Sequence, residues 1–297
     1  MKKIKIIIIT IFALIALISV KNFTKSQLKK LRTKENTLKD LKNLENDALS
    51  LVIDKLKVYK TYDKMGPIAL KRIGRDHDGG YVVPEKALKE ADVLFGYGIA
   101  DDISFEESFS DIYNKPSYGF DCGTKHISTK NKKCKFISQC IGTDEFLYKG
   151  QKSSETVKTF REQIKEFHVE ERNIFIKMDI EGAEYQAIDS VLKHSQNITG
   201  IAIEVHFTDA PQILKLIDLL TKINKEFKLV HIHANNSGGK PFRTPNLDGT
   251  LPRVLELSYI NNNLIEKFEI SENQKFPKEI DMVNVPSLND YNFEIKI

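Results

Sequence analysis

Apolar residues fall into short runs, separated by charged stretches in which apolar positions recur every three or four residues. Val93–Ile99, Tyr118–Asp121, Lys135–Gly142, Ile174–Met178, Gly200–Phe207, Phe227–His233 and Val254–Tyr259 read as strands. Near-continuous apolar runs are what strands covered on both faces require. Between them, Val157, Phe160, Ile164 and Phe167 mark a helix over Thr156–Phe167. Ala183, Ala187, Ile188, Val191 and Leu192 mark a second, and Ile213–Ile223 a third. A further helix is expected to start at Ser104, capped by Ser104 or Asp102. Strands alternating with helices predict an α/β fold with a parallel sheet and crossover helices. Arg72–Val83 carries Asp78-Gly79-Gly80, a turn signal that reads as a surface hairpin or as a loop lining a site.

The first residues follow another pattern. Lys2, Lys3 and Lys5 precede Ile6–Val20, a run without charge. It lies between a signal-peptide core and a full membrane span. We expect a signal anchor over residues 1–21 in preference to a cleaved signal peptide. Lysines follow the run as well as precede it, so the side of the membrane on which the main domain lies is left open. Residues 22–64 read as a helical stalk or linker, with a partial stripe of Leu28, Leu31, Leu38, Leu41, Leu44 and Ala48. Gly66-Pro67 breaks that pattern and places the main domain at 65–297.

Composition narrows the picture. The 297 residues carry 45 basic and 41 acidic side chains, a balance that argues against nucleic acid as a partner. Cys122, Cys134 and Cys140 are odd in number and contain no Cys-x-x-Cys pair, which argues against zinc. Either Cys122 and Cys134 pair in an oxidising compartment, or all three are ordinary thiols.

Candidate chemistry collects at strand ends, where open α/β sheets bind ligands. The first strand runs into Gly96 and Gly98, and Asp101 and Asp102 follow. Those acids disfavour a pyrophosphate and suit a cationic or zwitterionic ligand. Asp121 lies about twenty residues further on, where an acidic residue holds ribose hydroxyls in nucleotide-binding folds. The fourth strand ends in Asp179-Ile180-Glu181-Gly182-Ala183-Glu184, and the fifth delivers Glu204 and His206. His231 and His233 share a face of the sixth strand.

These pieces resemble a class I S-adenosylmethionine-dependent methyltransferase of the FkbM and methyltransferase-like-24 type. The resemblance rests on Arg72-Ile73-Gly74, Asp78–Tyr81, Phe95–Ile99, Asp121, Lys177–Glu184, Ile203–His206 and His231–Asn236. It implies a Rossmann-like seven-stranded, mostly parallel sheet with helices on both faces and an antiparallel last strand, Val254–Tyr259. It places Gly96 and Gly98 against the methionine part of S-adenosylmethionine, Asp121 on the ribose, and the stretch with Asp144 beside the adenine. Another glycine usual near Ala100 or Asp101 is missing here.

A hydroxyl acceptor gains from a nearby base. His206 is the first candidate and Asp179 the second. A divalent metal on Asp179, Glu204, His206, His231 and His233 is a further, less favoured reading. Asn235-Asn236 is expected to begin a loop over the acceptor, made mobile by Gly238 and Gly239. The expected function is O-methylation of a small molecule or glycan at a membrane, with oligomeric state open. A membrane-anchored glycosyltransferase-like enzyme and a non-catalytic binding protein are the alternatives.

Overall fold

The computed structural model describes residues 36–142, 156–243, 250–272 and 274–295. The Ile6–Val20 run and Asp144 lie outside them. Among the described residues no helix is long and apolar enough to cross a membrane.

Seven strands form the central sheet: β1 (Val93–Tyr97), β2 (Ser117–Phe120), β3 (Cys134–Ile137), β4 (Ile174–Met178), β5 (Ile198–His206), β6 (Phe227–Ala234) and β7 (Val254–Asn261). Their spatial order is β6-β7-β5-β4-β1-β2-β3. All neighbours pair in parallel except β7, which runs antiparallel between β5 and β6. This is the mostly parallel sheet with an antiparallel last strand that the resemblance implied. The expected third strand is shorter than its apolar run. Cys140–Gly142 leaves the sheet and pairs with Val157–Thr159, which begins the segment expected to be wholly helical. Helix α4 therefore starts later, at Phe160.

The helices are α1 (Asn36–Lys55), α2 (Glu85–Glu90), α3 (Ser104–Tyr113), α4 (Phe160–Glu166), α5 (Glu184–Leu192) and α6 (Ala210–Glu226). Alternate strand residues face opposite sides. Phe95, Tyr97, Ile176, Met178, Ile201 and Ile203 pack with Phe160, Ile188 and Leu216 on one face. Leu94, Phe175 and Ala202 pack with Leu88, Phe105 and Phe109 on the other. That second face also carries the hairpin Leu70–Ile73/Tyr81–Pro84, the turn that Asp78-Gly79-Gly80 signalled.

Local signals fix the helix starts. Thr159 and Glu162 form a capping box on α4, and Asp209 caps α6 by accepting from Gln212 N. Asp102, one residue ahead of the N-cap Ile103, accepts from both the backbone N and the hydroxyl of Ser104.

The segment expected as a stalk ends inside the domain. Leu49, Val52 and Leu56 are buried in the main core, and Lys55 O accepts from Asn224 Nδ2 of α6. The following strand, Tyr59–Asp63, pairs with Lys267–Ile270. Residues 49–63 thus belong to the folded unit, because their apolar side chains complete its core.

Cysteine pairing also differs from expectation. Cys122 bonds Cys140, and Cys134 is a free, buried thiol. Cys134 points into a small cluster with Ile99 and Ile103 beneath β3, which removes it from Cys122.

Candidate active site

Strand register assembles the site. Tyr97 pairs with Phe120 and Met178, and Met178 pairs with Ile203. One residue further along, Asp121, Gly98, Asp179 and Glu204 stand side by side. Glu204 is opposite Glu256, and Glu256 is opposite His233. One row thus crosses six strands at the rim, so expected residues far apart in sequence become neighbours.

At one end of the row the backbone is open. Gly98 has φ 79°, and any Cβ there would strike the carbonyl oxygen of Asp179. A Cβ on Gly96 would strike the Glu106 carboxylate. Glu106 is buried beneath that glycine, and burial pushes its carboxyl up to about 7, against the opposing charge of Lys177.

Asp121 closes the next loop. Its Oδ2 accepts from Ala100 N at 2.8 Å, and Oδ1 accepts from Gly123 N and Thr124 N at 2.7 and 3.0 Å. Ala100, where the extra glycine is missing, takes the left-handed conformation itself at φ 46°. The Asp121 bond to its amide and the Thr124 hydroxyl bond to its carbonyl hold it there.

Asp179 is the centre of the row. Its Oδ2 accepts from the Tyr81 hydroxyl at 3.0 Å, and Lys177 Nζ lies 3.9 Å away. Burial, with the charge of Asp179 next, holds the Tyr81 phenol far above its ordinary range, so it stays a donor. Asp179 Oδ1 is shielded from solvent and has no partner. Such an atom costs roughly 1–3 kcal/mol unless something meets it.

His206 stands among carboxylates. Its Nε2 lies 3.1 Å from Glu204 and 3.4 Å from Glu181, and its Nδ1 lies 3.6 Å from Glu184. Burial disfavours the imidazolium, but Glu184 and Glu204 outweigh it and raise the ring to about 11. The carboxylates on both sides of the ring thus favour its protonated form. Burial and the neighbouring Asp179 raise Glu204 to about 8, while His206 opposes that shift.

His231 and His233 do not join His206. His231 Nε2 pairs with Asp281 at 2.7 Å, and His233 Nδ1 with Glu256 at 3.1 Å. Among the described residues the group with metal-ligand spacing is Asp179, Glu181 and His206.

The loop expected to be mobile is pinned at its start. Asn235 donates to Glu204 at 3.1 Å, and Asn236 donates to Val285 O and accepts from Val285 N. Asn284 bridges Glu256 at 2.6 Å and Asp78 at 3.3 Å. The C-terminal segment 281–290 thus walls the far end of the row. Tyr81, Glu256, Asp281 and Asn284 were not foreseen. Glu256 had a readable signal, because Glu256 and Ser258 alternate with apolar residues in β7. The segment 281–290 has no such period.

Residues 76–228, just over half of the chain, match the Methyltransferase FkbM domain. The chain belongs to the FkbM methyltransferase-domain family. The match takes in Asp78, the Gly96–Gly98 turn, Asp121, Asp179 and His206. Glu256 and the 281–290 wall lie beyond it. Among solved structures the chain is similar to the plantazolicin methyltransferase BpumL in complex with SAH. That likeness has 11% identity and a TM-score of 0.27, over 60% of this chain and 82% of the other. No curated protein shows significant similarity to the chain.

Proposed function

We propose that this FkbM-family chain is an S-adenosylmethionine-dependent methyltransferase acting on a hydroxyl of a small molecule or glycan. The observation that carries the reading is the row Asp121–Gly98–Asp179, in which the buried Asp179 Oδ1 faces no partner. The residues present fit such a cofactor. Gly96 leaves room for Glu106, and Gly98 lets β1 turn against the Asp179 carbonyl, which sets the backbone of the turn that would meet the cofactor. Three backbone amides occupy Asp121, and a carboxylate has about four acceptor positions, which leaves one for a ribose hydroxyl.

The cofactor supplies an activated methyl group, so the protein's work is mainly placement. Tyr81 holds Asp179 by one oxygen and leaves the other toward the site. In the ion-free protein that free oxygen is the group able to take the acceptor's hydroxyl proton. Imidazolium His206 offsets the acidic neighbours Glu181, Glu184 and Glu204.

Family membership supports methyl transfer over the glycosyltransferase-like alternative. Anchoring at a membrane through Ile6–Val20 belongs to the same proposal and rests on the sequence alone. Calorimetry with S-adenosylhomocysteine, then transfer of labelled methyl to a panel of hydroxylated acceptors, tests it. Binding with transfer is the expected result. Binding without transfer to any acceptor favours the non-catalytic alternative, and absence of binding refutes the proposal.

A further inference from the structure

We propose that Asp179, Glu181 and His206 form a divalent-cation site on the acceptor side of the row. What the ion would do rests on the methyl-transfer reading; its binding does not. The three residues come from the end of β4, the turn after it and the end of β5, and one ligand atom from each lies within 4.8 Å of the others. His206 Nε2 is 3.4 Å from Glu181 Oε2 and 3.1 Å from Glu204 Oε1. Bonds of about 2.0–2.2 Å to one ion put neighbouring ligand atoms roughly 3–4 Å apart. The Glu181–His206 pair already has that spacing, and the exposed Glu181 side chain is free to adjust.

A second, independent observation lies behind the imidazole. Metal-ligating histidines usually present their other ring nitrogen to a carboxylate. Glu184, whose side chain is 0% exposed, sets Oε1 3.6 Å from His206 Nδ1 while accepting from Ile180 N, and Nδ1 itself has no hydrogen-bond partner. Glu204, itself buried, is held beside Nε2 by Asn235. Charge points the same way. Four carboxylates, of Asp179, Glu181, Glu184 and Glu204, face His206 and Lys177. An imidazole with carboxylates suits manganese, iron or zinc better than calcium. Binding displaces a proton from the His206 ring, so that Nε2 ligates the ion; Asp179 then acts as a ligand too, and the ion holds the acceptor oxygen that Asp179 would otherwise meet.

Titration of the full chain with Mn²⁺ by calorimetry tests the site, beside Glu181→Gln and His206→Gln. Glu181 is 85% exposed, so its replacement leaves the fold intact. The expected result is one saturable Mn²⁺ per chain, bound at least ~10-fold more weakly by Glu181→Gln. No saturable binding, or equal binding by Glu181→Gln, overturns the proposal. S-adenosylhomocysteine titrated separately in a chelator keeps the two readings apart. If it binds and Mn²⁺ does not, the cation site alone fails. If Mn²⁺ binds and it does not, methyl transfer alone fails.

Discussion

Gly98 and Asp179 touch through their backbones: the hydrogen of Gly98 occupies the only space left beside the Asp179 carbonyl oxygen. Gly98→Ala would place a methyl group on that oxygen, at a φ of 79° that already disfavours a side chain. Either β1 or β4 must then shift, and with it the centre of the row. We expect the variant to lose S-adenosylhomocysteine binding and to unfold at lower temperature. Gly182→Ala is the control. Its φ is 94°, yet nothing lies within 4 Å of the added carbon. It should cost only the left-handed penalty of roughly 1–2 kcal/mol. Calorimetry and thermal denaturation of the pair separate collision from strain; equal behaviour of the two variants would contradict the packing described.

Asp121 has two duties, and substitution separates them. Asp121→Ala removes the acceptor of three backbone amides as well as the group assigned to the ribose. Cofactor affinity should fall by roughly 1.5–3 kcal/mol, the worth of hydrogen bonds to a charged group. Thr124→Val removes the hydroxyl bond to Ala100 O and leaves the carboxylate. It should loosen the loop with a much smaller loss of binding. Unchanged affinity for S-adenosylhomocysteine in Asp121→Ala would remove Asp121 from the cofactor site.

Glu106 makes stability depend on pH in an uncommon direction. Its folded-state value, about 7, lies above the ordinary 4.5, chiefly because of burial. The folded state therefore holds this proton more tightly than the unfolded chain. Its stabilising contribution is complete below pH 4.5 and is lost as pH rises through about 7. The span is worth roughly 3 kcal/mol at the usual 1.36 kcal/mol per pKa unit. Glu106→Gln should match the wild type in urea denaturation near pH 4.5 and exceed it at pH 8. A constant difference across that range would show that Glu106 does not titrate in it.

The Cys122–Cys140 bond closes a loop of 18 residues beyond Asp121. Loop-closure entropy for that length is about 3 kcal/mol. Reduction, or Cys122→Ser, should lower the melting temperature. In the folded oxidised chain no cysteine should react with a thiol reagent, because Cys134 is buried. After denaturation without reductant one should react. Three reactive thiols in the denatured state would show that the bond does not form.

The parts of the fold readable in sequence were those set by a local period. All seven central strands were visible as apolar runs, and the turn residues Gly96, Gly98, Asp121 and Asp179 stand where strand ends predict. What the sequence hid depended on distant contacts. His206 reads as a free base until Glu184, brought in from α5, joins Glu204 of its own strand beside it. Cys140 sits closer in sequence to Cys134 than to Cys122, and only its departure from the sheet after Ile137 delivers it to Cys122. Asn284 and Asp281 lie in a stretch without periodicity, so nothing local tied them to Glu256 or His231.

The same reasoning applies to the helix read as a stalk. Its charged composition suggested a solvated spacer, whereas Leu49, Val52 and Leu56 are almost wholly buried against the main core. Val52 and Leu56 are each 0% exposed. Leu56→Ala should destabilise the domain by roughly 2–5 kcal/mol, the range for a buried leucine truncated in a packed core. Leu51→Ala, at a partly exposed position on the helix just before it, should cost less. A chain beginning at residue 65 would also lose the Tyr59–Asp63 strand that pairs with Lys267–Ile270. We expect it to be insoluble or partly unfolded, while one beginning at residue 36 folds. Circular dichroism and melting of the two truncations decide the matter: equal stability would return residues 49–63 to the role of a stalk.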